Sequence, residues 1–300
     1  MKFSRQNPND LHALRTYLYD SFDWRYRGKA VPPPGLHLLS ATRMIQSRSQ
    51  LWRCDGHLSG EGFRGLHFDI HEVFARDVAE NALLQADGTP VDPGFQGLLI
   101  ALRHRTSFLS RTIVKHDMGV MNSKTVDGMK RVGLGESAFE RRFEVYSDDQ
   151  VESRALLTID FMERLLAMDQ HPRYQNIQIG FIAGRIYVAI PVGDIVRFGC
   201  DAVCISPEQA AAKVVGEIET VFEILGDVDV LQASAGRKTE EELQAERQAW
   251  YQERVSRVEA QVEAAMTSGI LTGAPIPKWM TADAYDLIDS RLHGLLSPRF

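Results

Sequence analysis

The 300-residue chain sets 34 lysines and arginines against 40 aspartates and glutamates, a net charge of -6. That balance argues against a protein whose main task is gripping nucleic acid, because phosphate neutralisation needs a cationic face. Hydrophobic residues at 44% and charged residues at 25% describe a folded chain, and three cysteines are too few for a disulfide framework and fit a reducing compartment.

The first ten residues are polar, carrying Lys2, Arg5, Asn7 and Asp10, and no apolar signal core follows them. The most apolar stretch, 177–192, is broken by Gln178, Gly180, Gly184 and Arg185, well short of the roughly 18 apolar residues a spanning helix needs. These features predict a cytoplasmic protein without an integral membrane segment, and they leave peripheral membrane contact open.

In chain order, Asn9 or Asp10 caps a first helix with Leu11, Leu14, Tyr17 and Leu18 on its apolar face, and Pro32, Pro33 and Pro34 end that region. A second helix is expected over about 38–52. From about residue 62 the period becomes extended: 67–74 alternates with Phe68 and Ile70 on one face, and further strands are expected over 95–103, 111–116 and 142–147. Residues 176–192 give the strongest hairpin signal, with Ile177, Ile179 and Phe181 on one arm, Ile186, Val188 and Ile190 on the other, and Ala183-Gly184 at the turn. Thr158 caps a helix carrying Phe161, Met162, Leu165 and Leu166. Ser206-Pro207 opens another whose stripe is Val214, Val215, Ile218, Val221, Phe222 and Leu225, with a stop at Gly226. Beyond it, Tyr251, Val255, Val258 and Val262 step at coiled-coil spacing for about two heptads. That pattern fits either a helix lying on its own domain or a seam for self-association or an unknown protein partner.

These elements predict an α+β protein. A helical segment (1–60) precedes an α+β core (61–232), and a helical extension (233–300) follows it. The core would be a curved antiparallel sheet, of pleckstrin-homology or split-barrel type, with packed helices.

The stretch 129–166 is the most distinctive. It reads Lys130-Arg131-Val132-Gly133-Leu134, Phe139-Glu140, Phe143 through Glu152 (FEVYSDDQVE), Ser153 through Thr158 and Phe161 through Leu165. It resembles the signature of a bacterial family catalogued as a domain of unknown function (number 3137 in that series), and the similarity covers about residues 63–231. The resemblance implies no established activity, cofactor or catalytic residue. Many members of that family resemble membrane-anchored proteins, which implies a membrane-proximal role, and this chain departs from them in showing no such anchor.

Several residues carry possible chemistry. Asp148 and Asp149 fall at a strand end, where such side chains satisfy turn amides, and Glu152 and Arg154 are placed to pair across an extended segment. The alternative, a cation held by Asp148, Asp149 and Glu152, lacks the glycine and terminal glutamate of an EF-hand loop. His67, Asp69 and His71 project from one side of a strand and present two imidazoles and a carboxylate, a zinc or iron ligand set, joined by His104 or His116 if either lies near. A solvated strand face explains the same three residues. Cys200 and Cys204 lack the second pair of a zinc ribbon and read as small buried hydrophobes. Arg103, Arg105 and Arg111 make a local basic stretch suited to a solvated strand pair or an anionic partner. No P-loop, G-x-S-x-G elbow, H-E-x-x-H or dinucleotide fingerprint is present, so no cofactor is expected. A non-enzymatic binding or scaffold module is the leading expectation. The rivals are a metal-dependent hydrolase using His67, Asp69 and His71, and a peripheral membrane adaptor using the arginines.

Overall fold

The structure, a computed structural model, describes residues 15–16, 19–20, 22–27, 39, 44, 51–62, 65–76, 95–103, 108–117, 125–191, 207–232, 242, 245–246, 248–250, 252–254, 256–257 and 260. Ten strands build one sheet: β1 (Arg25–Arg27), β2 (Leu51–Glu61), β3 (His67–Arg76), β4 (Gln96–Arg103), β5 (Thr112–His116), β6 (Thr125–Val126), β7 (Met129–Val132), β8 (Phe143–Ser147), β9 (Gln178–Ile182) and β10 (Arg185–Pro191). Four helices accompany them: α1 (Ser137–Glu140), α2 (Gln150–Leu156), α3 (Ile159–Gln170) and α4 (Pro207–Gln232).

The strand order is β1-β2-β3-β4-β10-β9-β5-β8-β7-β6 and every pairing is antiparallel. The fold is therefore α+β, and the sheet is open: among the described residues β1 and β6 stand at its two ends and are not joined. This corrects the expected pleckstrin-homology or split-barrel closure. The edges are blunted by length, since β1 has three residues and β6 two, too short to template another chain.

The centre of the sheet is buried on both faces, which is why β4 reads as the near-continuous apolar run Leu98-Leu99-Ile100-Ala101-Leu102. One face packs Phe68, Ile70, Ile100, Val145, Ile179 and Val188 against Phe161 and Leu165 of α3 and Ile218 and Val221 of α4. The other gathers Val73, Leu99, Ala101, Ile113, Tyr146 and Tyr187 with Leu39 and Met44. Gly97 is required where β4 passes β10, because a Cβ there would lie 2.1 Å from the Ile190 carbonyl oxygen.

The hairpin β9–β10 forms in the expected register, and Ala183 and Gly184 take φ of 51° and 72°, the left-handed pair of a type I′ turn. Thr158 caps α3 by accepting from the Phe161 amide at 3.2 Å. Elsewhere the structure departs from the expectations. The residues at 51–52, expected to end a helix, begin β2, so the sheet runs across the anticipated boundary at residue 60. Helix α4 passes through Gly226 to Gln232, because the buried stripe continues at Val228 and Asp227 accepts from the Tyr174 hydroxyl at 2.5 Å. Residues 150–156, expected to be extended, are helix α2. Tyr146, expected at the core margin, is fully buried on the second face and donates to Glu144 Oε2 at 2.9 Å.

Candidate functional site

Two regions bring chemistry-bearing side chains together. The first is the distinctive stretch around β8 and α2. Asp149 caps α2, accepting from the Val151 and Glu152 amides at 2.7 and 3.1 Å. Asp148 holds Arg111 in a two-pronged pair (Nε to Oδ2 2.7 Å, Nη2 to Oδ1 3.1 Å), and Arg111 Nη1 also reaches Asp127 at 2.5 Å. The hydrogen bonds from Arg111 hold the Asp148 carboxyl below its ordinary range. Glu152 accepts from the backbone of Ser110 at 2.7 Å and of Leu109 at 3.1 Å; the Ser110 side chain first, then these backbone bonds, lower its pKa against the opposing effect of burial. Arg154 does not pair with Glu152; it donates to the Gly133 carbonyl at 3.1 Å. Glu140 closes the frame by accepting from the Leu134 and Gly135 amides at 2.6 and 3.0 Å.

Each of these carboxylates accepts from backbone N–H groups or a guanidinium. The three acids entertained as a cation site, Asp148, Asp149 and Glu152, instead tie the β4–β5 connection to the start of α2. One consequence stands at the surface. Leu109, whose own amide is bonded to Glu152, is 97% exposed; Val151, next to Glu152 in α2, is 78% exposed; and Ile159, the first residue of α3, is 64% exposed.

The second region lies on β2 and β3. The register places His57 opposite His71 and Ser59 opposite Asp69. The two imidazoles stack with centroids 4.2 Å apart and planes 6° from parallel, and His57 Nε2 donates diagonally to Asp69 Oδ1 at 3.0 Å. Ligand atoms of His57, Asp69 and His71 all lie within 4.8 Å of one another. A β-bulge creates this grouping: the register steps from Cys54 opposite Val73 to Gly56 opposite Glu72, so no residue of β3 stands opposite Asp55. The extra residue shifts the phase and puts Cys54 and His57, three apart, on one side of the sheet.

Cys54 Sγ donates to the Gly56 carbonyl at 3.5 Å and lies 3.6 Å from His71 Nδ1. When the thiol proton serves Gly56, His71 Nδ1–H donates to sulfur and the lone pair of His71 sits on Nε2. Burial, then the neighbouring His57, pushes the His71 pKa down to about 4, so the ring is neutral near neutral pH. The hydrogen bond from His57, aided by the charge of Arg185 at 3.6 Å, holds Asp69 below its usual range against the opposing effect of burial.

Of the residues singled out from sequence, the structure thus joins Asp69 and His71, adds His57 and leaves His67 aside. His67 faces Glu61 in the register and is four residues from His71, about 13 Å along the strand. His116 is on β5, where its Nε2 meets Asp169 at 2.6 Å, and it shares the helix-covered face with Val114 rather than the face of the cluster. Arg103 is exposed at the end of β4. His104, Arg105, Cys200, Cys204, Tyr251, Val255, Val258 and Val262 lie outside the described residues or side chains. Near the last four, Trp250 packs on Phe222 of α4 at 5.4 Å, and Arg254 and Arg257 pair with Asp23. Those described positions lie on the chain's own domain.

Among the described residues, fold and site define an α+β protein with an open ten-stranded antiparallel sheet, exposed apolar side chains at Leu109 and Val151, and the His57–Asp69–His71 cluster. Residues 94–230 match the model of the family described as protein of unknown function (DUF3137). No curated protein matches the chain. Among solved structures, it is similar to the crystal structure of the mycobacterial trehalose monomycolate transport factor A, at 12% identity and a TM-score of 0.38, over 76% of this chain and 98% of that one. Among the described residues no helix is long and apolar enough to cross a membrane.

Proposed function

We propose that the protein is a non-enzymatic binding module that docks a protein partner on the surface where α2 meets the β4–β5 connection. The observation that carries this is the exposure of Leu109, at 97%, in a backbone held in place by Glu152. Leaving a leucine in water forgoes about 1.5–3 kcal/mol that burial would return. A leucine that is exposed on a fixed backbone keeps that free energy for association without a backbone-ordering cost at the moment of contact. Val151, the neighbour of Glu152 in α2, supplies a second exposed apolar side chain.

The peripheral membrane alternative gains less support. Arg111, one of its three arginines, is already neutralised by Asp127 and Asp148. A seam at Tyr251, Val255, Val258 and Val262 gains less as well, because Trp250, Arg254 and Arg257 on the same helical stretch are engaged with Phe222 and Asp23.

The test places a photo-activatable residue at position 109 or 151 in cells that make the protein, then measures the affinity of the purified adduct partner for the wild type and for the L109E/V151E double variant. A discrete adduct whose partner binds the wild type and loses affinity for the folded double variant supports docking here. Equal affinity for both rejects it.

A further inference from the structure

The acids of the β8–α2 frame are engaged by backbone amides and a guanidinium, whereas the β2–β3 cluster sets a carboxylate beside two imidazoles. Asp69 brings a carboxylate, and His71 an Nε2 lone pair when its Nδ1–H donates to Cys54. His57 brings a third donor. It now donates from Nε2 to Asp69, and moving that ring proton to Nδ1 frees a second imidazole lone pair beside the Asp69 carboxylate.

From this geometry we infer that His57, Asp69 and His71 form a binding site for a divalent first-row metal ion of the zinc class, a site the docking surface does not use. Donors of a tetrahedral zinc at 2.0–2.1 Å are about 3.3 Å apart. The His57–Asp69 pair, at 3.0 Å, is already close to that spacing; holding one ion requires the widest separation in the trio, at most 4.8 Å, to close by about 1.5 Å while the imidazoles, now 6° from parallel, tilt until both in-plane lone pairs meet. Two imidazoles and one carboxylate suit zinc, iron or nickel over magnesium or calcium, which favour all-oxygen shells. The contact of His71 Nδ1–H with Cys54 is the outer-sphere hydrogen bond that fixes which nitrogen of a ligating histidine faces the metal. Asp69 is the most open member, its side chain 38% exposed, so an ion enters from its side and completes its coordination there with water.

The experiment uses the full chain, purified without an affinity tag that binds metal, stripped with chelator and titrated with zinc chloride against a chromophoric chelator. One zinc per chain is expected. Asp69→Asn and His57→Ala, each first shown to keep the fold by circular dichroism, weaken binding by more than the roughly 10–100-fold an outer partner is worth, while H67A leaves it unchanged. Substoichiometric uptake by the wild type, or full uptake that D69N and H57A leave as tight as before, overturns the site.

Discussion

Between β7 and α2 the carboxylates meet amides and guanidinium groups; on β2 and β3 a carboxylate meets imidazoles. Asp149, Glu152 and Glu140 each take two backbone N–H bonds and Asp148 takes the fork of Arg111, so these acids hold a turn, a helix start and a connection in place. Asp69 takes a donor that can be turned round, because an imidazole can accept as well as donate. Acidic residues in a distinctive motif are thus no guide to a ligand site until their donors are counted. In this protein the count assigns the motif to the frame, and the proposed metal site falls on the less conspicuous β2–β3 pair.

That contrast predicts a double dissociation. The largest effect belongs to the frame's core: Phe143 is buried, stacks on Phe139 at 5.1 Å and meets His116 edge-on, so F143A should cost about 3–5 kcal/mol in urea denaturation. A cost below about 1 kcal/mol would mean that this half of the sheet is not packed as described. Removing the α2 cap with D149A should cost about 1 kcal/mol and leave zinc stoichiometry untouched. A loss of zinc in that variant would erase the distinction between the two regions.

Smaller still is the stability effect expected of D69N, within about 0.5 kcal/mol because the side chain is substantially exposed, set against its large effect on metal affinity. The smallest effect is the acid response of Asp148. Its carboxyl is held below 3.8 in the folded state, so the unfolded chain binds the proton first; the contribution is present above pH 3.8 and is lost as pH falls through the lower folded value. Thermal melts in that acid range should therefore fall more steeply for the wild type than for D148N, and parallel curves would show that the pair with Arg111 adds nothing.

The parts of the fold legible in the sequence are those where local chemistry and tertiary packing agree. The β9–β10 hairpin is one, since Ala183-Gly184 must take positive φ and the flanking residues alternate. The start of α3 is another, because Thr158 supplies the cap and Phe161, Met162 and Leu165 the buried stripe. Strand β2 was hidden by its bulge: the phase slip at Asp55 breaks the alternation that marks a strand, and the same slip conceals that His57 shares a face with Asp69 and His71. Reading one strand by its period groups Asp69 and His71 with His67, whereas the pairing of β2 with β3 groups them with His57, because cross-strand register is not written in a single segment. Helix α2 was masked because Asp149 reads equally as a turn residue and as a cap. Gly226 stops an isolated helix, yet with Val228 buried beyond it the packing outweighs the roughly 1 kcal/mol that a mid-helix glycine costs.

The docking claim meets its most direct check in isothermal titration of the partner trapped at position 109 into wild-type protein and into L109E/V151E. With a carboxylate in place of each apolar side chain, at about 1.5 kcal/mol or more apiece, affinity should fall on the order of 100-fold while the melting temperature stays put. Identical binding curves for the two proteins would contradict it.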